Sequence, residues 1–157
     1  MVNDAVISIG AKIGMLADLK PDAPAVSCSD LTRTHAELHR RTNRIARALL
    51  ERGVKHGDLV TVGLPNGIDF VEACYALWKI GATPQPVSSR LPEAELEAIM
   101  ELAETPILLG ACGKSSSRPC ASIADLIACS QDESDLPDVT APCLKAPTSG
   151  GSTGRPS

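Results

Sequence analysis

The feature that most restricts the fold of this chain is an alternation of strand and helix patterns between residues 59 and 109. Residues 59–64, 82–87 and 106–109 are short apolar runs typical of buried strands, and helical patterns with brief connections separate them. Parallel strands need a crossover connection, usually a helix, and that crossover is right-handed. The alternation therefore predicts an α/β fold with a mainly parallel sheet and flanking helices.

The two helices between these strands are marked at their ends. Asn66 is predicted to cap the first helix, and Gly81 follows its last turn. Pro92 lies at a tolerated first-turn position of the second helix. The first helix carries all the aromatic residues of the chain, and packing in the core is favoured over stacking on a ligand for Phe70, Tyr75 and Trp78.

Upstream of the alternation, the pattern predicts a helix over residues 7–19, a short strand over 25–28 and then a longer helix. Thr34 and Glu37 have the spacing of a capping box, in which each side chain accepts a hydrogen bond from the backbone of the other. Gly53 is the expected stop. This second helix is the best-marked element of the N-terminal part.

The second helix also carries a basic stripe. Its apolar face repeats at intervals of four and three residues through Leu38, Thr42, Ile45 and Leu49. The opposite face holds Arg40, Arg41, Arg44 and Arg47. Because nearby glutamates dilute the positive charge, the stripe is interpreted as a solvated surface rather than as a binding site.

The C-terminal part has weaker signals. Residues 121–128 are predicted to form one more short helix, and residues 130–147 are acidic and contain proline. This second segment is therefore expected to be an exposed connection that leads to the end of the chain.

Charge and hydropathy exclude several classes of partner. The formal net charge is −4, whereas nucleic acids and anionic membranes need clustered positive charge. No apolar run approaches the roughly 18 residues of a transmembrane helix, and no basic start leads into an apolar stretch as in a secretory signal. A cytoplasmic location is expected.

The cysteines and histidines give no sign of a metal site. The chain has six cysteines but no C-x-x-C pair, and its histidines do not complete a ligand set with them. In a reducing compartment the cysteines are expected to be free thiols, several of them buried.

The last ten residues, 148–157, have the composition of a loop that wraps phosphate. Glycine lets backbone N–H groups approach an anion, and Ser and Thr hydroxyls add donors. The order excludes a Walker A loop, because Gly154 is followed by Arg155 and Pro156 where that motif requires Lys and Ser or Thr. A flexible Gly/Ser linker is the alternative interpretation.

The segment Thr148-Ser149-Gly150-Gly151-Ser152-Thr153-Gly154-Arg155-Pro156 resembles the signature loop of the adenylate-forming enzymes, the acyl-CoA synthetase and AMP-binding ligase superfamily. The family loop continues with lysine, where this chain has Ser157. Residues 34–38 (Thr-His-Ala-Glu-Leu), 57–66 and 77–82 (Leu-Trp-Lys-Ile-Gly-Ala) also resemble family elements, in the same order along the chain.

Members of this family use ATP and Mg²⁺ to convert a carboxylic acid into an acyl-adenylate, and a thiol, often coenzyme A, then displaces AMP. The resemblance implies an acyl-CoA synthetase that acts on a fatty acid or similar acid, with ATP, Mg²⁺ and CoA. Oriented amides and hydroxyls stabilise phosphate charge without a base. By resemblance, the nucleotide phosphates contact Thr148, Ser149, Gly150, Gly151, Ser152, Thr153 and Gly154.

The resemblance implies no catalytic or metal-binding residue in this chain, because the family places the acid pocket, the magnesium ligand and the catalytic lysine after the loop. Residues 1–157 are therefore interpreted as a truncated N-terminal part of an AMP-binding domain without the C-terminal subdomain. Such a chain is predicted to be inactive alone. The alternatives are a non-catalytic remnant or interaction module that needs a partner chain, such as a C-terminal piece, and a stand-alone nucleotide-binding module.

Overall fold

The computed structural model describes residues 8–110 and 118–142. Within these ranges the elements are helices α1 to α5 and strands β1 to β6. In chain order they are α1 Ile9–Leu19, β1 Pro24–Cys28, β2 Leu31–Thr34, α2 His35–Glu51, β3 Leu59–Gly63, α3 Ile68–Lys79, β4 Thr83–Pro86, α4 Glu93–Ala103, β5 Leu108–Gly110, β6 Cys120–Ala121 and α5 Ile123–Cys129.

The main sheet has the strand order β4-β3-β5-β6, and each neighbouring pair is parallel. Val62 lies opposite Pro86 on one side and opposite Leu109 on the other. The predicted α/β fold with a parallel sheet and flanking helices is therefore confirmed. The short strand β6 was missed, because its two residues carry no periodic signal.

Strand β4 contains two prolines, Pro84 and Pro86, which lack the N–H group that a sheet ladder uses. They are compatible with a strand because β4 pairs with β3 and lies at the edge of the sheet. Prolines also discourage a further strand from adding at an edge. The sequence of β4 thus agrees with its position.

Each face of the sheet has its own core. On one face, side chains from α2, α3 and α5 pack on β3 and β5, and the largest cluster includes Ile45, Leu49, Val60, Val62, Leu77, Leu109 and Leu126. On the other face, Leu96 and Met100 of α4 pack against Leu108. Leu108 and Leu109 point to opposite faces because successive strand residues alternate. Burial on both faces explains why the strands read as continuous apolar runs.

A small antiparallel hairpin, β1 with β2, precedes α2. Strand β2 was not predicted. Its last residue, Thr34, is also the N-cap of α2, and the capping box with Glu37 is present as predicted. Gly53 follows the helix with a φ of 92°, a conformation that favours glycine.

One prediction about α3 was wrong in detail: the N-cap is Gly67 rather than Asn66, and it makes no side-chain capping bond. The three aromatic side chains are half-buried; Phe70 packs against the core as predicted, and the rings of Tyr75 and Trp78 lie 5.5 Å apart. The face of α3 that meets the sheet is made of smaller residues that allow close approach, with Ala73, Ala76 and Leu77 fully buried.

Candidate functional site

The predicted phosphate loop, Thr148–Gly154, lies outside the described residues, so its contacts with nucleotide stay a prediction. The described chain ends at residue 142, and its last segment runs along α2. We call residues 130–139 the strap. The strap precedes the predicted loop in sequence.

Arginines of α2 hold the strap by its backbone. Arg44 donates from Nε to the carbonyl oxygen of Ser130 and from Nη2 to that of Ile127, both at 2.8 Å. Arg47 donates from Nη2 to the carbonyl oxygen of Ser134 at 3.0 Å. The interpretation of the basic stripe as a solvated face was therefore wrong for Arg44 and Arg47. Their bonds satisfy carbonyl groups of the strap, which has no secondary structure, and the bond from Arg44 to Ile127 satisfies a carbonyl group at the end of α5.

Arg41 of the same stripe has a different partner. It makes a bidentate pair with Glu72 of α3, at 2.6 Å from Nε and 3.1 Å from Nη2. The Glu72 side chain is fully buried, and Arg33 of β2 approaches it at 3.7 Å. The hydrogen bond to Glu72 raises the pKa of Arg41. Of the four arginines, only Arg40 is exposed as expected.

A buried lysine lies where α2, α3 and the strap meet. Lys79 is 5% exposed, and its Nζ donates to Asn43 Oδ1 at 2.8 Å, to His39 Nδ1 at 2.9 Å and to the His39 carbonyl oxygen at 3.1 Å. An ammonium group has three hydrogens to donate, so this geometry satisfies all of them. The side chain would otherwise be a costly buried charge.

The same contacts define the proton positions on His39. Since Nδ1 accepts from Lys79, the hydrogen of the neutral ring is on Nε2, which donates to Asp135 Oδ1 of the strap at 2.7 Å. The bond from His39 lowers the pKa of Asp135. Burial lowers the pKa of Lys79 to about 7, against an opposing effect of Asp135. No sequence signal pointed to this cluster, because its members lie far apart in the chain.

A cavity of about 260 Å³ opens beside Lys79 and His39. Helix α1 forms one wall, and two of its residues are glycines. A Cβ atom at Gly10 would lie 3.1 Å from Lys79 Cγ, and one at Gly14 would lie 3.3 Å from His39 Cε1. These glycines therefore let α1 approach the polar cluster closely.

The carboxyl end of the sheet is a second candidate ligand site. The connection from β4 to β5 crosses to the far side of β3, so the strand order reverses between β3 and β5. Open α/β sheets bind ligands at such a reversal. Gly110 ends β5 with a φ of 79°, and a Cβ there would lie 2.5 Å from Leu64 Cδ2. The residues after Gly110 are not described.

The described cysteines follow the free-thiol prediction in part. Cys28, Cys74 and Cys129 are thiols that take part in no disulfide, whereas Cys120 is in a disulfide. Within residues 8–110 and 118–142, no group of at least three His, Cys, Asp or Glu side chains is arranged to hold a metal ion. No helix in the same ranges is long and apolar enough to span a membrane.

Comparison with known proteins identifies the family. The model for AMP-binding enzymes matches residues 16–156, so the chain belongs to that family. Pyochelin synthase PchD of Pseudomonas aeruginosa is 38% identical over 85 residues, which are 54% of this chain and 16% of that protein. Enterobactin synthase component F of Escherichia coli is 28% identical over 144 residues, 89% of this chain and 10% of that protein.

Solved structures agree on the fold. The N-terminal subdomain of Klebsiella oxytoca NpsA superposes with a TM-score of 0.81 at 24% identity, covering 97% of this chain and 42% of that one. The nonribosomal peptide synthetase FmoA3 gives a TM-score of 0.77 at 25% identity, covering 90% of this chain and 16% of that one. The chain spans between 1% and 16% of the length of the curated relatives compared. The names of these relatives give no support to the expected fatty-acid and CoA specificity.

Proposed function

We propose that this chain supplies the phosphate-binding part of an adenylation domain that activates a carboxylic acid with ATP and Mg²⁺. The observation that carries the proposal is the Thr148–Gly154 loop, which lies within the match to the AMP-binding family. Backbone amides and hydroxyls at these positions suit the β- and γ-phosphates of ATP. The proposed reaction joins the acid to AMP and releases pyrophosphate.

The acid in this proposal is an amino acid or an aryl acid, and the acceptor is the thiol of a carrier protein. The support is the family of relatives, which includes synthases of pyochelin and enterobactin and a nonribosomal peptide synthetase. NpsA has been solved with 3-hydroxybenzoyl-AMSN. Coenzyme A as acceptor and a fatty acid as substrate form the second candidate, which rests on the loop resemblance alone.

A further part of the proposal is the position of this chain within the adenylation domain. Residues 1–157 would form the first part of the larger adenylation subdomain, since the chain covers 42% of the NpsA N-terminal subdomain. We expect adenylation only when the remainder of such a domain is present, in the same or another chain. A non-catalytic module that binds a partner chain is the alternative.

The test is acid-dependent exchange of pyrophosphate into ATP. A chimera would join residues 1–156 to the remaining part of the NpsA adenylation domain, which supplies the acid pocket, so the acids would be 3-hydroxybenzoate and 3-hydroxyanthranilate. We expect exchange with these acids and its loss in Gly151→Trp, because a bulky side chain blocks the approach of amides to phosphate. Lys55→Ala, an exposed change distant in sequence, is the control.

Two outcomes would contradict the proposal. A folded chimera that exchanges with no acid, while intact NpsA is active, would show that this loop does not bind ATP productively. Exchange that survives Gly151→Trp would show that the loop is not the phosphate site.

A further inference from the structure

Lys79, His39 and Asp135 have the order of a nucleophile, a base and an orienting carboxylate. Lys79 Nζ lies 2.9 Å from His39 Nδ1, and His39 Nε2 lies 2.7 Å from Asp135 Oδ1. Activated nucleophiles in proteins are recognised by this geometry, in which the base is within hydrogen-bond reach and a third group fixes its tautomer. The adenylation proposal does not use these residues.

The cluster faces a space that a ligand could enter. The cavity of about 260 Å³ is lined by Lys79, His39 and Asp135, and it has room for a small organic molecule. Its other walls include apolar side chains from α1 and the strap, namely Ala11, Met15, Leu136, Pro137 and Val139. An acyl chain would find apolar contacts next to the amine.

The charges around the cavity restrict what can react there. Carboxylates of Asp18 on α1 and of Asp135 and Asp138 on the strap line the same space as Lys79 and His39. Three acidic groups against one lysine and one histidine disfavour an anionic ligand. A neutral acyl donor suits the cavity better than an acyl phosphate does.

We propose that Lys79 is an acylation site, at which the amine accepts an acyl group from a small neutral ester or thioester in this cavity. In the neutral amine one of the three positions on Nζ is the lone pair, so Nζ gives up its contact with Asn43 Oδ1 and directs the lone pair at the carbonyl carbon. A C–N bond forms and the C–O or C–S bond breaks. The leaving group takes the bonding electron pair. The proton of Nζ passes to His39 Nδ1 and from there to solvent or the leaving group. The product is a stable amide, so each chain reacts once.

Two further observations support the site. Burial lowers the pKa of Lys79 to about 7, so a large share of this amine is unprotonated near neutral pH. Gly10 and Gly14 keep α1 free of side chains that would press on Lys79 and His39. The proposal does not rest on the adenylation function.

The experiment treats the intact chain with p-nitrophenyl acetate near neutral pH and measures acetylation of each lysine by peptide mass spectrometry. Lys55, which is exposed, is the internal control. We expect Lys79 to react about 10-fold faster than Lys55, since a desolvated amine beside a base is the better nucleophile. With acetyl phosphate, which is anionic, that preference should disappear. A Lys79 that reacts no faster than Lys55 with the neutral ester overturns the proposal.

Variants test the base and its positioning residue. His39→Gln should lower the rate at Lys79 by about 10-fold or more, because it removes proton transfer. Asp135→Asn should lower it less; the Asp135 side chain is 80% exposed, so this variant is expected to fold. Asp22→Asn removes an exposed carboxylate outside the cavity and should leave the rate with the neutral ester unchanged. Unchanged rates at Lys79 in folded Asp135→Asn and His39→Gln would show that His39 is not the base.

Discussion

Helix α2 has two sides that are held by different forces. Its inner side packs into the apolar core with Ile45 and Leu49, both fully buried. Its other side binds the strap through arginine side chains, and Leu136 is the half-buried apolar residue of the strap that packs on the core. Apolar burial is insensitive to pH and moderate salt, whereas exposed charged contacts, such as Arg47 Nε to Asp132 Oδ2 at 3.4 Å, are weak and screened. One helix thus joins a stable core to a segment whose attachment depends on solution conditions.

The largest effect is expected in the core. Leu49→Ala should lower the free energy of unfolding by about 3 kcal/mol, from lost burial and the cavity left behind. Urea unfolding followed by circular dichroism measures it. Leu102→Ala is the matched control, because Leu102 is 70% exposed and should change stability by less than about 0.5 kcal/mol. Equal effects of the two variants would contradict the assignment of the core.

The buried ion pair between α2 and α3 should come next. Glu72→Gln keeps the size of the side chain but removes the charge that Arg41 and Arg33 face. We expect a loss of about 2 kcal/mol, because bonds to charged groups are among the stronger ones and breaking a buried pair leaves a partner uncompensated. The same urea titration reports it, and Glu101→Gln at an exposed position of α4 is the control. An unchanged free energy of unfolding in Glu72→Gln would mean that water solvates the two arginines in place of the carboxylate.

Lys79 is expected to make the free energy of unfolding depend on pH. Its pKa is about 7 in the folded chain, below the ordinary value of 10.5, so between these values the unfolded chain binds more protons. The free energy of unfolding should therefore rise with pH across this window, by up to about 1.4 kcal/mol per pH unit. The test compares the pH dependence of unfolding in the native chain and in Lys79→Met. If the free energy of unfolding changes with pH equally in the two proteins above neutral pH, Lys79 is not the source of the pH dependence.

The smallest effect on stability is expected for the strap. Arg47→Ala removes bonds to Ser134 and should lower the free energy of unfolding by about 0.5 kcal/mol, as for other exposed charged contacts. Arg47→Ala should also let the strap open more often, and we expect the backbone amides of residues 130–139 to exchange hydrogen faster. Arg40→Ala, an exposed arginine of the same helix, should leave this exchange unchanged. Identical exchange in the two variants would show that Arg47 does not hold the strap.

The regular elements could be predicted because their information is local. Leu38, Thr42, Ile45 and Leu49 repeat on one face of α2, and all four are buried. The capping box at Thr34 and the stop at Gly53 depend on neighbouring residues, and both are present. The errors in the regular elements were two short strands that were missed, β2 and β6, and a helix cap placed one residue early, at Asn66 instead of Gly67.

The sequence by itself determined the α/β class, the parallel pairing and the family, because periodicity, caps and a short motif are written in consecutive residues. Only the tertiary structure decided which polar side chains far apart in the chain become partners. His39 and Asp135 are 96 positions apart, and Arg44 and Ser130 are 86 apart. Such pairs form only when the folded chain brings a distant segment back to a helix. The sequence around a charged residue is the same whether its partner is water or a distant carbonyl group, so the partner cannot be predicted from it.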